Sequence, residues 1–500
     1  MIKKKTFTPL ECAELVASAE QARLKGDLAT AEKTCKALLS ADSDHFAAVY
    51  TLGLIQSDKG QHRRAIETLN RAFLLHPSHW PTKLALSLAY LEMKLFESAR
   101  YWAEASENQQ PENPLNQQAL GEICFGQRNY AQSCIHFENA SEAGISEAYE
   151  WAGRARLELG DDVEAKKWLE EAIRHAGITL SKAQTYLQLP KSLRSNLLDG
   201  LIKDFLLKSN TEDDRFQFLL SRLHEGEGNI DAAWLSAKKG NNQVFQTVRS
   251  AELREAGEHL QRAEWFERNA KLFREKQPRE ASVPISLFII GPSRSGKTSV
   301  ERLLAQHPRV KIGYESSVLE RTLRVTSQEA GLPSSTSFAS LTKEGANRFK
   351  DSYLAAICAS KDDCDVFTTT TPGYIWEAPF LPRHIPNVQF INVRRKRADL
   401  TWRIFQKRYA GQGNPYSYDI AAIGRHLDTY DQVTRALENF YPERVLSLNY
   451  EDVVTDPSNA QAMIYEFCCL QKNDSSPTVD LGDDTDCAKA FLPYLLENGL

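Results

Sequence analysis

Apolar residues recur at three- and four-residue spacing through most of the first 280 positions, the period of helices with one buried face. Within that stretch the pattern itself repeats. The small residues Ala31, Ala65, Ala99, Ser133 and Ala165 stand 34, 34, 34 and 32 residues apart. Other positions keep the same register: Leu52-Gly53 and Leu120-Gly121 in first helices, and Leu69, Phe137 and Leu169, then Ala72, Ala140 and Ala172, in second helices. Pro77 and Pro111 close two units. Small residues are needed where paired helices approach closely, and larger ones fill the space between neighbouring pairs. Five units are expected over residues 12–178, with Ser18-Ala19 and Ser87 standing where the others have glycine. From 179 to 280 the spacing stays helical in Phe216–Leu223, Ala232–Lys239 and Phe245–Phe273 but loses the 34-residue register. It predicts degenerate repeats or a helical connector, ended by Gln277-Pro278 because proline disfavours helical geometry before it.

The pattern changes at Val283. ISLFII reads as a buried strand, GPSRSG as a turn, and KTSVERLLAQHP as a helix ending at His307-Pro308. Strand, glycine loop and helix in that order open an α/β domain. Further strands are predicted at Val366–Thr370, Val388–Val393 and Val445–Leu448, with helices around 342–358, 399–409 and 419–440. Gly291 to Thr298 satisfies G-x-x-x-x-G-K-S/T. Such a P-loop turns backbone N–H groups inward, and the following helix adds the positive end of its dipole, so an anion is favoured there. Lys297 and Arg294 would add full charges. Kinases and nucleotidases need a strand ending in an acidic residue to hold magnesium. Here one candidate strand runs into Arg394-Arg395 and another into threonines.

At 500 residues the chain exceeds one hydrophobic core. With 42% hydrophobic and 25% charged residues it reads as a folded protein, and its net charge of −5 argues against a general nucleic-acid or membrane coat. MIKKKTFTPL lacks the apolar stretch of a secretory signal, no run is long enough to span a bilayer, and the scattered cysteines lack zinc-site spacing. A cytoplasmic location with free thiols is expected. Between 394 and 408 seven basic residues (394, 395, 396, 397, 403, 407, 408) face one acidic residue, Asp399, an excess that suits an anionic acceptor. Trp402, Phe405 and Tyr409 in the same segment have the spacing of a packed helix face, and nucleic-acid binding is not expected.

The 34-residue units resemble the tetratricopeptide family. PSRSGKTSVERLLAQHPRV, GYES, TTTTP, PNVQFINVRRKRADL, PYSYDIAAIGRHLDTY and LNYEDVVTDP resemble, in that order, the C-terminal domain of tetratricopeptide-repeat sulfotransferases. The resemblance implies 3′-phosphoadenosine 5′-phosphosulfate (PAPS) as donor and no metal. It implies that Arg294, Ser295, Gly296, Thr298 and Ser299 hold the 5′-phosphosulfate and that Arg395 holds the 3′-phosphate. Arg403 stands where the family places a serine that contacts that phosphate. The catalytic base of the related tyrosylprotein sulfotransferases falls on Glu315. A carboxylate there suits the chemistry, because an acceptor hydroxyl must lose its proton as the sulfur–oxygen bond forms.

The chain departs from the family at Lys297, where threonine is usual, and at Thr369-Thr370, where an Asp-Lys pair is usual. Lys297 is expected to compensate, supplying near the bridging oxygen the charge that the absent lysine no longer gives. Lys396-Arg397 replace Asp-Pro, and QKNDSSPTVDLGDDTDC lacks the arginine of the segment that closes over the donor. Tyr450-Glu451-Asp452 and His307 are read as structural. The expected fold class is multi-domain: an all-α tetratricopeptide-repeat solenoid (1–178), a degenerate or connecting helical segment (179–280), an α/β P-loop sulfotransferase-like domain of three layers with a parallel sheet (281–475), and a tail (476–500). The expected function is sulfuryl transfer to a protein, peptide or glycan hydroxyl presented by the repeats. A P-loop kinase or nucleotidase, and a non-catalytic adaptor, are the alternatives.

Overall fold

Pairs of helices in the 34-residue register make up the first part of the chain, and a parallel sheet with its covering helices makes up the last. The computed structural model describes residues 7–111, 113–209, 213–274, 278–280, 283–314, 316–330, 338, 341–358, 364–409, 414–471, 481 and 485–500. The chain divides into two compact units, Met1–Ser209 and Asn210–Leu500.

In the first unit the described residues form α1 (Pro9–Leu24) with α2 (Leu28–Ala41), α3 (Phe46–Asp58) with α4 (His62–Leu75), α5 (Trp80–Glu92) with α6 (Phe96–Glu107), α7 (Pro114–Gly126) with α8 (Tyr130–Glu142), and α9 (Ser146–Leu159) with α10 (Asp162–Ala176). Helices α11 (Leu180–Tyr186) and α12 (Asn196–Lys208) follow. The five small residues of the register lie in the first turn of the second helices and are fully buried. Opposite each pair's contact, size is matched to size. A Cβ on Gly53 would stand 2.7 Å from Leu69, one on Gly121 2.7 Å from Phe137, and one on Gly153 2.6 Å from Leu169. Where the first helix carries a larger residue, the register places a smaller one opposite: Ala19 with Cys35, and Ser87 with Ala103. Ser87 also donates to the carbonyl of Ala99 at 2.8 Å, so its hydroxyl is satisfied inside the contact.

The second unit opens with α13 (Asp214–Gly226) and α14 (Ile230–Arg268). The same register is present here: Ser221 precedes Ala233 by 12 residues and Ala237 by 16, as Ser87 precedes Ala99 and Ala103. Helix α14 runs unbroken for 39 residues, where the sequence predicted two segments. Gly240, between those segments, lies where Gln217 and Phe218 of α13 approach a notional Cβ to 3.1 and 3.2 Å, so it serves close packing rather than a break.

The sheet strands are β1 (Ile285–Ile290), β2 (Val310–Lys311), β3 (Val366–Thr369), β4 (Val388–Arg394) and β5 (Val445–Asn449). Their order is β2-β3-β1-β4-β5, and every described pairing is parallel. Around them lie α15 (Lys297–Leu304), α16 (Val318–Glu329), α17 (Lys343–Ile357), α18 (Leu381–His384), α19 (Arg397–Phe405), α20 (Ile420–Phe440), α21 (Tyr450–Thr455), α22 (Pro457–Phe467) and α23 (Leu492–Glu497). One face of the sheet packs against α15, α21 and α22, the other against α17, α20 and the end of α14. Helix α15 ends at Leu304 rather than at His307. His307 instead accepts the N–H of Arg309 at its Nδ1, 3.2 Å away, in the turn into β2.

Helices α13 and α14 pack into the second unit through side chains far away in sequence. Trp234 stacks on Trp402 and Phe405 of α19, and Glu225 accepts from Trp402 Nε1 at 3.0 Å and Gln406 Nε2 at 2.7 Å. The residues expected to form a C-terminal tail join the same cluster: Phe491 stacks on Trp402 and Tyr494 on Trp234. Among the described residues no helix is long and apolar enough to cross a membrane.

Candidate functional site

The sheet order reverses direction at β1, which is flanked by β3 and β4, and ligands of open parallel sheets bind beyond the carboxyl ends of the strands at such a point. The glycine loop 291–296 occupies that position. Gly291 has φ +152° and Gly296 φ +101°, values that favour glycine. A Cβ on Gly291 would meet Ser295 Oγ at 2.3 Å and Val393 O at 2.8 Å, and one on Gly296 would meet the Tyr450 ring at 2.1 Å. Arg294 between them is also left-handed, at φ +69°, and is exposed. Helix α15 begins immediately at Lys297, with Ser299 N and Val300 N donating to Gly296 O at 3.0 and 3.2 Å, so the positive end of its dipole lies at the end of the loop. The buried hydroxyl of Ser295 finds no hydrogen-bond partner among the described residues. An anion at the loop would accept from that hydroxyl and be favoured by the helix dipole.

Lys297 is buried and crosses the loop, its Nζ donating to Gly291 O and Pro292 O at 2.8 Å each. Thr298 is exposed and Ser299 half-buried on the first turn of α15. Arg395, just past β4, reaches the loop: its Nη1 donates to the carbonyl of Arg294 at 3.0 Å, and its guanidinium lies 4.6 Å from the centroid of the Tyr450 ring. Tyr450, read as structural, thus lies between Gly296 and Arg395. Arg403 is half-buried in the last turn of α19. A cavity of about 310 Å³ opens at the end of β4, lined by Pro292, Asn392, Arg394, Arg395, Tyr430 and Thr434 among others.

Glu315 lies outside the described residues, but the chain on either side of it is anchored. Tyr314 N donates to Glu301 Oε1 at 3.2 Å, and Tyr314 O accepts from Thr370 N at 2.8 Å and from Thr369 Oγ1 at 3.2 Å. Gly313 N donates to Thr368 Oγ1 at 3.1 Å. Beyond it, Ser316 O accepts from Tyr374 Oη at 2.6 Å. The threonines that stand in place of an Asp-Lys pair therefore tie the segment before Glu315 to β3. Sequence reasoning gives Glu301 no role, although a signal exists. It lies between Val300 and Leu303-Leu304, all buried, and a carboxylate inside an apolar stripe calls for buried donors.

The basic segment is largely answered within the unit. Arg394 pairs with Glu438 at 2.6 Å, Lys396 with Asp486 at 2.5 Å, Arg397 with Asp428 at 2.7 Å, and Arg408 with Asp214. Lys407 lies over the Tyr409 ring. The charge excess that suggested an anionic acceptor is local to the sequence, because its carboxylate partners come from α13, α20 and the C-terminal segment. Asp399 turns its carboxylate to the N–H groups of Asp486 and Ala488, each 2.8 Å away, which fixes that segment beside α19.

Two hydroxyls touch the loop that the sequence did not single out. Gly291 N donates to Tyr430 Oη at 2.7 Å, and Ser293 Oγ lies 2.8 Å from Tyr409 Oη.

Residues 284–474 match the model of the Sulfotransferase family, over the glycine loop, β4 and the Tyr450 segment alike. The chain carries a sulfotransferase-family domain. Residues 46–79, which span α3 and α4, match the model of the Tetratricopeptide repeat. The chain is also similar to solved helical proteins. Pseudomonas aeruginosa PilF is 19% identical over 38% of this chain and 88% of its own, with a TM-score of 0.35. A tetratricopeptide repeat protein from Parabacteroides merdae is 17% identical over 46% and 93%, with a TM-score of 0.36. TTC0263 of Thermus thermophilus is 16% identical over 36% and 98%, with a TM-score of 0.33. No curated protein matches the chain. A transferase of sulfotransferase type, joined to tetratricopeptide repeats, is the activity class that the two family matches support.

Proposed function

We propose that the sulfotransferase-family domain transfers the sulfuryl group of PAPS to a hydroxyl of a protein, peptide or glycan, and that the repeats bind that acceptor's carrier. The observation that carries the donor assignment is the bond from Arg395 to the carbonyl of Arg294. It joins the two positions that the resemblance gives to the donor's two ends, the 5′-phosphosulfate at Arg294, Ser295, Gly296, Thr298 and Ser299, and the 3′-phosphate at Arg395 and Arg403. Repeats of this kind commonly bind proteins or peptides, which supports a macromolecular acceptor.

In the reaction, the acceptor oxygen forms a bond to sulfur as the bond from sulfur to the 5′-phosphate oxygen breaks, and the acceptor's proton passes to the Glu315 carboxylate. The products are a sulfate ester and 3′-phosphoadenosine 5′-phosphate (PAP). Positive charge from Lys297 and Arg294, with the loop N–H groups, stabilises the charge that gathers on the leaving phosphate. Placing both substrates in line removes most of the entropic cost of their meeting.

Binding is tested by thermal unfolding of the whole protein with PAP and, separately, with magnesium-ATP. A ligand at about a hundredfold over its Kd stabilises by about 2.7 kcal/mol, enough to raise Tm by roughly 5 °C in a unit of this size. A rise with PAP and none with magnesium-ATP is expected. The reverse pattern would replace the proposal with a kinase or nucleotidase.

A further inference from the structure

We propose that Tyr430 and Tyr409 are positioning residues for the donor, their buried hydroxyls holding the glycine loop in the shape that receives the sulfuryl-phosphate end. The inference rests on the donor reading above and deepens it.

The start of the loop has little freedom. Gly291 has no room for a side chain, because Ser295 Oγ and Val393 O occupy the space that a Cβ would need. Its N–H is directed into the unit's interior, where a backbone donor without an acceptor would be costly. The acceptor is Tyr430 Oη at 2.7 Å, on a residue only 1% exposed. Loss of that oxygen would leave Gly291 to turn its N–H elsewhere, and the positions of Ser293 to Gly296 follow from that of Gly291.

Tyr409 holds the loop two residues further on. Its hydroxyl lies 2.8 Å from Ser293 Oγ, and its ring is buried. Between them the two phenols fix the first and third residues of the loop, while the fourth, Arg294, is fixed through its carbonyl by Arg395. Geometry set in advance at several points is what a site needs if binding is not to include the cost of ordering the loop.

Each phenol is itself held by residues outside the sheet. Tyr409 N donates to Tyr418 Oη at 3.1 Å, and the Tyr418 ring packs against Phe218 of α13. The Tyr430 ring meets Trp376, which stacks on His259 of α14 at 3.8 Å. Burial pushes the Tyr409 phenol up to about 12 and the Tyr430 phenol higher. Both therefore stay neutral at physiological pH, and their part is to hold rather than to exchange protons.

The test is PAP affinity by calorimetry in the full chain for wild type, Tyr430→Phe and Tyr409→Phe, with Tm measured beside it. Phenylalanine keeps the ring packing and removes only the hydroxyl. Each variant should bind PAP roughly five- to tenfold more weakly, the factor carried by one hydrogen bond of ordinary net strength. A merely structural role would lower Tm and leave the affinity of the folded protein unchanged. If Tyr430→Phe does not fold, Tyr409→Phe decides, because its partner Ser293 is only half-buried. Wild-type binding with unchanged affinity in the folded variants overturns the proposal alone. Absence of wild-type binding overturns the donor reading and the proposal with it.

Discussion

A fragment beginning at residue 210 will fold and melt cooperatively, whereas one beginning at residue 281, where the α/β pattern starts, will not. The shorter fragment contains the whole sheet and the glycine loop, yet it lacks α13, α14 and the turn that follows them. With these go Phe218, Trp234, Phe266 and Phe273, all buried. At about 1.5–3 kcal/mol for each buried large side chain, their loss amounts to about 6–12 kcal/mol, as much as the whole stability of an ordinary domain. The partners left behind add to the cost. Trp402 and Gln406 lose Glu225, Arg425 loses Glu252, and Phe405 O loses the Asn241 amide. Circular dichroism and denaturant unfolding of the two fragments check this. A cooperative transition in the 281–500 fragment would show that the helices merely neighbour the sheet.

This dependence was not legible in the sequence, for a physical reason. The 34-residue register is visible because each close helix contact forbids a large residue at a fixed interval, as Gly53 against Leu69 and Gly121 against Phe137 show. The glycine loop is visible because its backbone angles and its lack of space exclude side chains at 291 and 296. The contacts of α13 and α14 have no such local signature. Glu225 meets Trp402 across 177 residues and Tyr430 meets Gly291 across 139, and nothing in either segment alone specifies the other. Strand β2 escaped because two residues carry no alternation. The basic run at 394–408 is legible only in part: its local excess reads as one ligand site, but the fold brings Glu438, Asp486, Asp428 and Asp214 to Arg394, Lys396, Arg397 and Arg408, and Arg395 reaches the glycine loop.

Glu315→Gln will reduce sulfuryl transfer about 10²- to 10⁴-fold, the range of a general base, while PAP affinity stays within about threefold because no donor-binding group is touched. Glutamine keeps the size and the hydrogen-bonding capacity of the side chain but cannot take the acceptor's proton. The segment leading to it should be undisturbed, since Tyr314 is held by Glu301 and by Thr369-Thr370, which the substitution leaves in place. Steady-state kinetics against PAPS, with PAP binding measured separately, distinguishes the two effects. Wild-type turnover in this variant would remove Glu315 from the mechanism. A loss of PAP binding equal to the loss of turnover would make it a binding residue instead.

Whether this chain moves a sulfuryl group from PAPS is decided by chromatographic detection of PAP released from PAPS. The purified full-length protein is incubated with the donor in EDTA, with and without a mixture of hydroxyl-bearing peptides and glycans. The wild type is expected to release PAP, faster with a suitable acceptor, and Glu315→Gln to reduce the release to background. Binding of PAPS without any release above that background, across all acceptors offered, would leave the domain a donor-binding module without transferase activity and overturn the proposed function.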